Sequence, residues 1–294
     1  MQYDYDLLIG GGGLAGNCLA LALKDSGLNI ALIEAVSRQQ LHDSPTGDRA
    51  LALSAGTVIM LEALGIWDSV KHHATPIKNI HISDKGHFGK TRLSAEKQGV
   101  VALGYVIAAR DIESHVAQMV EEAGIKQFCP ARIMGLISNT DSININLKQD
   151  EQAINLSAKL LVGADGGQST IRKLLEIEQH KTDYEQAAIV TTVSSTQAHN
   201  NTAYERFTAS GPLALLPVNT HQSAVVWTRS HEEAENLIAA SEVEFIKELQ
   251  QCFGYRLGEL SLSAPRRAFP LTLVRAKKMQ AQRSVIIGNA VHQL

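Results

Sequence analysis

The sequence predicts an α/β fold in which a strand–helix–strand unit is interrupted by a mainly antiparallel β-sheet with a covering helix. Three observations predict it. The apolar stretch Tyr5-Asp6-Leu7-Leu8-Ile9-Gly10 runs directly into Gly11-x-Gly13-x-x-Gly16 and an apolar-periodic segment. A second apolar run, Ile30-Ala31-Leu32-Ile33, closes on Glu34. From about Asp183 to Arg275 the pattern changes to short alternating runs separated by turn residues, with a helical stretch near Glu232–Cys252.

The first two observations form a dinucleotide fingerprint in its required context: strand, glycine turn, helix, strand, acidic residue. Gly11 permits the tight turn, Gly13 lets backbone approach a pyrophosphate, and Gly16 lets helix and strand pack closely. A helix N-terminus offers N–H donors and a positive dipole end to phosphates. Glu34 can accept from a ribose hydroxyl. Gly11, Gly13, Gly16 and Glu34 are therefore candidate dinucleotide-binding residues in a Rossmann-like unit.

The other elements follow in order. The helix after the fingerprint places Leu14, Cys18, Leu21 and Ala22 on one face and stops at Gly27. Residues 37–48 are polar and turn-rich and read as a loop. A helix is predicted near Thr57–Leu64, ended by Gly65, with Trp67 packing behind it. The stretch from Pro76 to Gln98 reads as a β-rich excursion. Asp111 can cap a helix carrying Ile112, Val116, Met119 and Val120, ended by Gly124. Ser142–Leu147 alternates like a half-buried strand, whereas Lys159–Ala164 reads as a fully buried one. Strands are predicted at Ala188–Val193, Leu213–Pro217, Ala224–Thr228 and Ser284–Gly288. The expected division is residues 1–75, 99–182 and 276–294 for the nucleotide unit, and 76–98 with 183–275 for a substrate sheet.

Composition excludes several classes. Of 294 residues, 45% are hydrophobic and 19% charged, as in an ordinary globular enzyme. A net charge of −3 gives no footprint for a nucleic-acid partner. Cys18, Cys129 and Cys252 lack paired spacing, so neither a disulfide frame nor a zinc site is expected. His72, His73, His81 and His87 show no metal-ligand spacing. No signal peptide fits the start and no apolar run is long enough to span a bilayer. A cytoplasmic protein, at most peripheral at the inner membrane, is the expectation.

The run Leu161-Val162-Gly163-Ala164-Asp165-Gly166-Gly167-Gln168-Ser169-Thr170-Ile171-Arg172 places Asp165 and Gly166 at the end of a buried strand. A third mark, Ile286-Ile287-Gly288-Asn289-Ala290, follows late in the chain. With these motifs the sequence resembles the FAD-dependent aromatic hydroxylases, the single-component flavoprotein monooxygenases. Asp48–Thr57, Leu64–Trp67, Ile82–Gly89, Tyr204–Phe207 and Gly211–Pro217 resemble the ubiquinone-biosynthesis branch of that family.

The resemblance implies a Rossmann-like FAD-binding domain in which Gly11, Gly13 and Gly16 cradle the pyrophosphate and Glu34 binds the ribose. Arg49 and Arg110 would lie near the cofactor. A surface ion pair remains open for Arg49, as does capping of local carbonyls for Arg110. Asp165 and Gly166 would reach FAD, with a simple strand-end turn as the alternative, and Gly288 with Asn289 would meet the ribityl chain. NAD(P)H would be the co-substrate. Chemistry would run through a flavin C4a-hydroperoxide formed with O2, hydroxylating a polyprenylated methoxyphenol.

Peripheral membrane contact and membership of a ubiquinone-biosynthesis complex are implied partners. The alternatives are a sister hydroxylase acting at another ring position, a flavin reductase or halogenase of the same fold, and a flavin-free scaffold subunit. No catalytic base stands out, His292 reading as structural. Family members continue beyond the position of Leu294 into a Pro-x-x-Gly-Gln-Gly-x-Asn loop and further helices. Incomplete pockets, weak or absent FAD occupancy and an inactive chain are therefore expected.

Overall fold

The computed structural model describes residues 3–293, apart from the side chains of His42, Pro45 and Thr46; Leu294 lies outside the described residues. The chain divides into two compact units. The first contains residues through Gly47, Arg110–Thr182 and those from Thr272, and the second contains Asp48–Ala109 and Asp183–Leu271.

In the first unit, Tyr5–Gly10 is the central strand. It pairs in parallel with Ile30–Ile33 on one side and with the end of Gln152–Gly163 on the other. Lys126–Phe128 and Ser284–Ile286 extend the parallel sheet outward. All four residues of Ile30–Ile33 are buried, as are Leu7–Gly10. Unbroken apolar runs are what a parallel strand covered on both faces requires. Antiparallel strands Ile143–Gln149 and Arg132–Ser138 complete this sheet. The alternation read in the sequence is real here, because Ile143, Ile145 and Leu147 join Leu8, Leu161 and Ile286 in one core.

Four local readings change. Of the run Lys159–Ala164, only Leu161–Gly163 is buried, because Lys159 and Leu160 lie where the strand is still open to solvent. The helix Leu14–Leu23 buries Gly16, Asn17, Ala20 and Leu21. Ala22 is exposed. The face is set by Gly16, where an added Cβ would lie 1.9 Å from the Gly11 carbonyl oxygen. Residues 37–48 are not simply a loop: Arg38–His42 is a short helix closed by a Ser37–Gln40 capping box. Asp111 is not a cap but sits in the first turn of the helix Ala109–Glu122, where a carboxylate favours the helix dipole.

In the second unit, strand residues 186–194 pair antiparallel with Gln222–Ser230, which pairs with Leu213–Asn219 and then Thr202–Phe207. Thr202–Phe207 runs parallel to Asn79–Asp84, and Lys90–Ser94 follows. The expected single covering helix is two, His231–Ala239 and Glu242–Phe253. Ser241 starts the second with its own capping box to Glu244, which breaks the run at Ala240. These helices bury Trp227, Phe245, Phe253, Leu213 and Leu215 in one core.

Ala50–Ser54, Gly104–Ala108 and Thr75–Ile77 form a separate three-stranded sheet. That pairing groups residues 48–75 and 99–109 with the second unit, a wider grouping than the sequence division. The 182/183 boundary falls at the same place, whereas residues 272–275, expected in the substrate sheet, lie in the first unit.

Candidate active site

The parallel strands of the first unit end together at Gly10, Ile33 and Gly163. Open α/β sheets bind ligands at the carboxyl ends of such strands. A cleft of about 670 Å³ opens there, lined by Gly11, Gly13, Glu34, Asp165 and Gly166 among others.

The glycines have distinct jobs. Gly11 has φ +112°, and a Cβ there would meet the Ala164 carbonyl oxygen at 2.3 Å. The turn therefore packs directly against the strand that delivers Asp165. Gly13 differs, since a Cβ there would have nothing within 4 Å. Its backbone lies bare. Gly13 is also the N-cap of the helix Leu14–Leu23, which has neither a side-chain cap nor an acidic residue in its first turn. First-turn N–H groups lacking a capping side chain need an acceptor from elsewhere, and an anionic group fits them. The cradle thus fits a dinucleotide pyrophosphate.

Glu34 is held on both oxygens. Oε2 accepts from the Gly12 N–H at 2.6 Å and Oε1 from the Val36 N–H at 2.8 Å. The carboxylate ties the glycine turn to the second strand and keeps further lone pairs for a hydroxyl donor.

Asp165 is likewise engaged. Its carboxylate accepts from the Ser169 hydroxyl and, at 3.0 Å, from the Ile171 N–H. Ser169 in turn caps the helix Thr170–Leu174 by accepting from the Arg172 N–H at 2.9 Å. Asp165 therefore organises the strand-end turn, with Gly166 at φ +81° beside it.

Arg172, at the end of the Asp165-Gly166 motif, links that motif to the Gly288–Ala290 turn. Only 2% exposed, it donates to the Ala290 carbonyl at 2.8 Å and the Gly167 carbonyl at 2.7 Å. This holds the Gly288–Ala290 turn against the Asp165-Gly166 segment. Gly288 has φ +59°, and a Cβ there would sit 3.2 Å from the Ala15 side chain. Gly11, Gly13, Gly16, Glu34, Asp165, Gly166, Gly288 and Asn289 all come from the same unit, with Asn289 exposed.

The two arginines separate. Arg110 lies in the first unit, donating to the Ser44 carbonyl at 3.3 Å and lying against Gly47. Arg49 falls in the second unit, is exposed, and accepts from the Ala109 N–H through its backbone carbonyl.

In the second unit the Leu213–Pro217 run serves two faces. Leu213 and Leu215 lie under the helices, whereas Ala214 and Leu216 are half-buried on the other face. Glu205 lies on that second face, opposite Ala214 on one neighbouring strand and Ile82 on the other. Burial pushes its carboxyl above the usual carboxylate range. No periodicity marks Glu205 in the sequence; only the strand register puts it beside the apolar residues.

The thiols are free, and burial raises Cys18 and Cys129, which makes them poor nucleophiles. Among the described residues no helix is long and apolar enough to cross a membrane.

A bare glycine turn and uncapped helix at the carboxyl ends of parallel strands, with an acidic residue closing the second strand, define a dinucleotide-binding α/β protein. The family model for the FAD binding domain matches residues 4–294, and the chain belongs to that family. It is 34% identical to the uncharacterized protein slr1300 of Synechocystis sp. over 98% of this chain and 69% of the relative. To the ubiquinone hydroxylase UbiL of Rhodospirillum rubrum it is 31% identical, over 98% of this chain and 66% of the relative. The chain thus spans about two thirds of the length of these relatives. Pseudomonas aeruginosa PqsL in complex with 2-aminobenzoylacetate shares the fold. That match has a TM-score of 0.81 at 19% identity, covering 99% of this chain and 80% of that one. The resemblance to the ubiquinone-biosynthesis FAD hydroxylases is therefore carried by sequence as well as by motifs.

Proposed function

We propose that the chain is the cofactor-binding and substrate-sheet part of an NAD(P)H- and O2-dependent monooxygenase. Its substrate would be the aromatic ring of a polyprenylated methoxyphenol in ubiquinone biosynthesis. The observation that carries this reading is the bare Gly13 cradle at an uncapped helix N-terminus, in a chain similar to a ubiquinone hydroxylase.

Gly11, Gly13 and Gly16 hold the pyrophosphate of FAD, and Glu34 takes the ribose hydroxyl with its remaining lone pairs. Asp165 with Gly166 shapes the strand-end wall, while Gly288 and Asn289 offer backbone and amide groups to the ribityl chain. Arg110, in the same unit as the glycine cradle, supplies positive charge toward the cofactor phosphates. Bound FAD would take a hydride from NAD(P)H and then deliver one atom of O2 to an electron-rich ring, the other leaving as water. On the sheet, Ile82, Ala214 and Leu216 pack against the ring, and Glu205 accepts the phenol O–H. An acceptor there raises electron density on the ring, which attack by an electrophilic oxygen requires. The prenyl tail stays in lipid, which makes the enzyme a peripheral visitor at the membrane and a fitting member of a biosynthetic complex.

The test uses full-length protein and a gene deletion. The protein should be yellow and should consume NAD(P)H and O2 faster with a short-tailed methoxyphenol, and the deletion should accumulate the unhydroxylated prenylphenol. Accumulation of a different intermediate would assign a sister hydroxylase instead. Missing flavin absorbance would favour a scaffold subunit.

A further inference from the structure

We propose that the second unit carries an oxyanion site, formed by Arg206, Arg256 and Arg92 around Ser83 and His81, that takes a phosphate group. Strand register builds it. His81 lies opposite Tyr204 on one neighbouring strand and Arg92 on the other, and Ser83 lies opposite Arg206 and Lys90. Residues directly opposite share a sheet face, so His81, Ser83, Arg92, Arg206 and Lys90 point the same way. Arg256 reaches this face from the loop after the helix Glu242–Phe253. The Ser83 hydroxyl, 6% exposed, is 3.3 Å from Arg206 Nη1 and 3.5 Å from Arg256 Nη1.

Two guanidinium groups converging on one neutral hydroxyl repel each other. Among the described residues, Lys90, Arg92, Arg206 and Arg256 make no ion pair. His81 Nε2 is shielded from solvent and, among the described residues, has no hydrogen-bond partner. Burial, together with the surrounding arginines and lysine, holds His81 below the ordinary histidine range.

A structural role accounts for one member alone. Arg206 Nε donates to the Cys252 carbonyl at 2.8 Å, closing the end of the helix Glu242–Phe253 and fixing the guanidinium in place. Among the described residues, no carbonyl comparably occupies the Arg256 or Arg92 guanidinium. In a chain with 27 basic and 30 acidic residues, a cationic cluster without a carboxylate is a site waiting for an anion. Phosphate suits it, because arginine forks match its oxygens, while the serine hydroxyl and an imidazolium supply further donors. The phosphate could belong to a small metabolite or to a lipid headgroup.

Full-length protein is titrated with inorganic phosphate, using chloride at equal ionic strength as the control. The His81 imidazole is followed by NMR and the melting temperature by calorimetry. Phosphate should saturate, raise the His81 pKa and raise the melting temperature, with affinity falling roughly tenfold or more in R256Q and in R92Q. Sedimentation with phosphatidylglycerol and with phosphatidylcholine vesicles separates the sources. Arg256-dependent binding to phosphatidylglycerol alone assigns a headgroup, whereas phosphate saturation without vesicle binding assigns a soluble ligand. A phosphate response no larger than that of chloride, or one unchanged in both folded variants, overturns the proposal.

Discussion

Replacing Gly16 or Gly13 by alanine should separate the stability of the fold from cofactor binding. Both substitutions add one methyl to the same turn, and in isolation alanine favours a helix interior by about 1 kcal/mol over glycine. At Gly16 the added Cβ would lie 1.9 Å from the Gly11 carbonyl oxygen. Since such contacts need roughly 3.2 Å, the helix must retreat by ~1.3 Å from the turn, and overpacking of this kind costs about 1–3 kcal/mol. The clash exceeds the propensity gain, so G16A should lose on the order of 1–2 kcal/mol and bind FAD more weakly as well.

At Gly13 there is nothing within 4 Å, and the backbone is extended at φ −76° and ψ −174°. G13A should therefore change stability by no more than about 0.5–1 kcal/mol, the difference between glycine and alanine at an N-cap. Its methyl would fill the space a pyrophosphate needs, so FAD affinity should fall at least roughly tenfold, or about 1.4 kcal/mol. Urea denaturation of the apoprotein gives the first quantity, and quenching of FAD fluorescence in full-length protein gives the second. G13A binding FAD as tightly as the parent would sink the cradle argument, and G16A as stable as the parent would sink the packing argument.

Three further outcomes are expected. R172M removes charge-assisted hydrogen bonds to the buried Ala290 carbonyl and the part-buried Gly167 carbonyl and should cost about 3–5 kcal/mol, read by urea denaturation, with proteolysis at the Gly288–Ala290 turn speeding up. Glu205 has a raised carboxyl, so its ionised form opposes folding. Its favourable contribution is complete below the ordinary carboxylate pKa and is lost as pH rises through the raised value. E205Q should accordingly match the parent in acid and exceed its stability near neutrality, while slowing ring hydroxylation more than flavin reduction. Denaturation at several pH values and stopped-flow absorbance read the two effects. S241A deletes an N-cap and should lose about 1 kcal/mol in thermal unfolding.

The parallel core was legible because its signal is local: Ile30–Ile33 is apolar throughout, and the glycines stand where turn geometry demands them. The break between the two covering helices was also within reach, since Ser241-x-x-Glu244 spells a capping box inside a run otherwise read as one helix. Other features were closed to a linear reading. Ala50–Ser54 finds its partner in Gly104–Ala108, and no pattern within either segment announces a separate sheet. Arg172 becomes a bridge only when Ala290 arrives beside it. Along the first helix, apolar spacing favours a face with Leu14 and Ala22, yet Ala22 is exposed. Close approach of backbone at Gly16, which hydropathy does not register, decides the face instead.

The bond between Arg172 and Ala290 also sets an order of events during synthesis. One wall of the cleft is made in the first sixteen residues, but the turn that Arg172 grips is translated near position 290. At about 5–20 residues per second, the ~120 residues between Gly163 and Ile286 take ~6–25 s to make. Throughout that interval Leu161–Gly163 lacks its outer neighbour Ser284–Ile286 and presents an open apolar edge. Such edges recruit other strands, so the nascent chain is most in need of a chaperone just before it can first hold its cofactor.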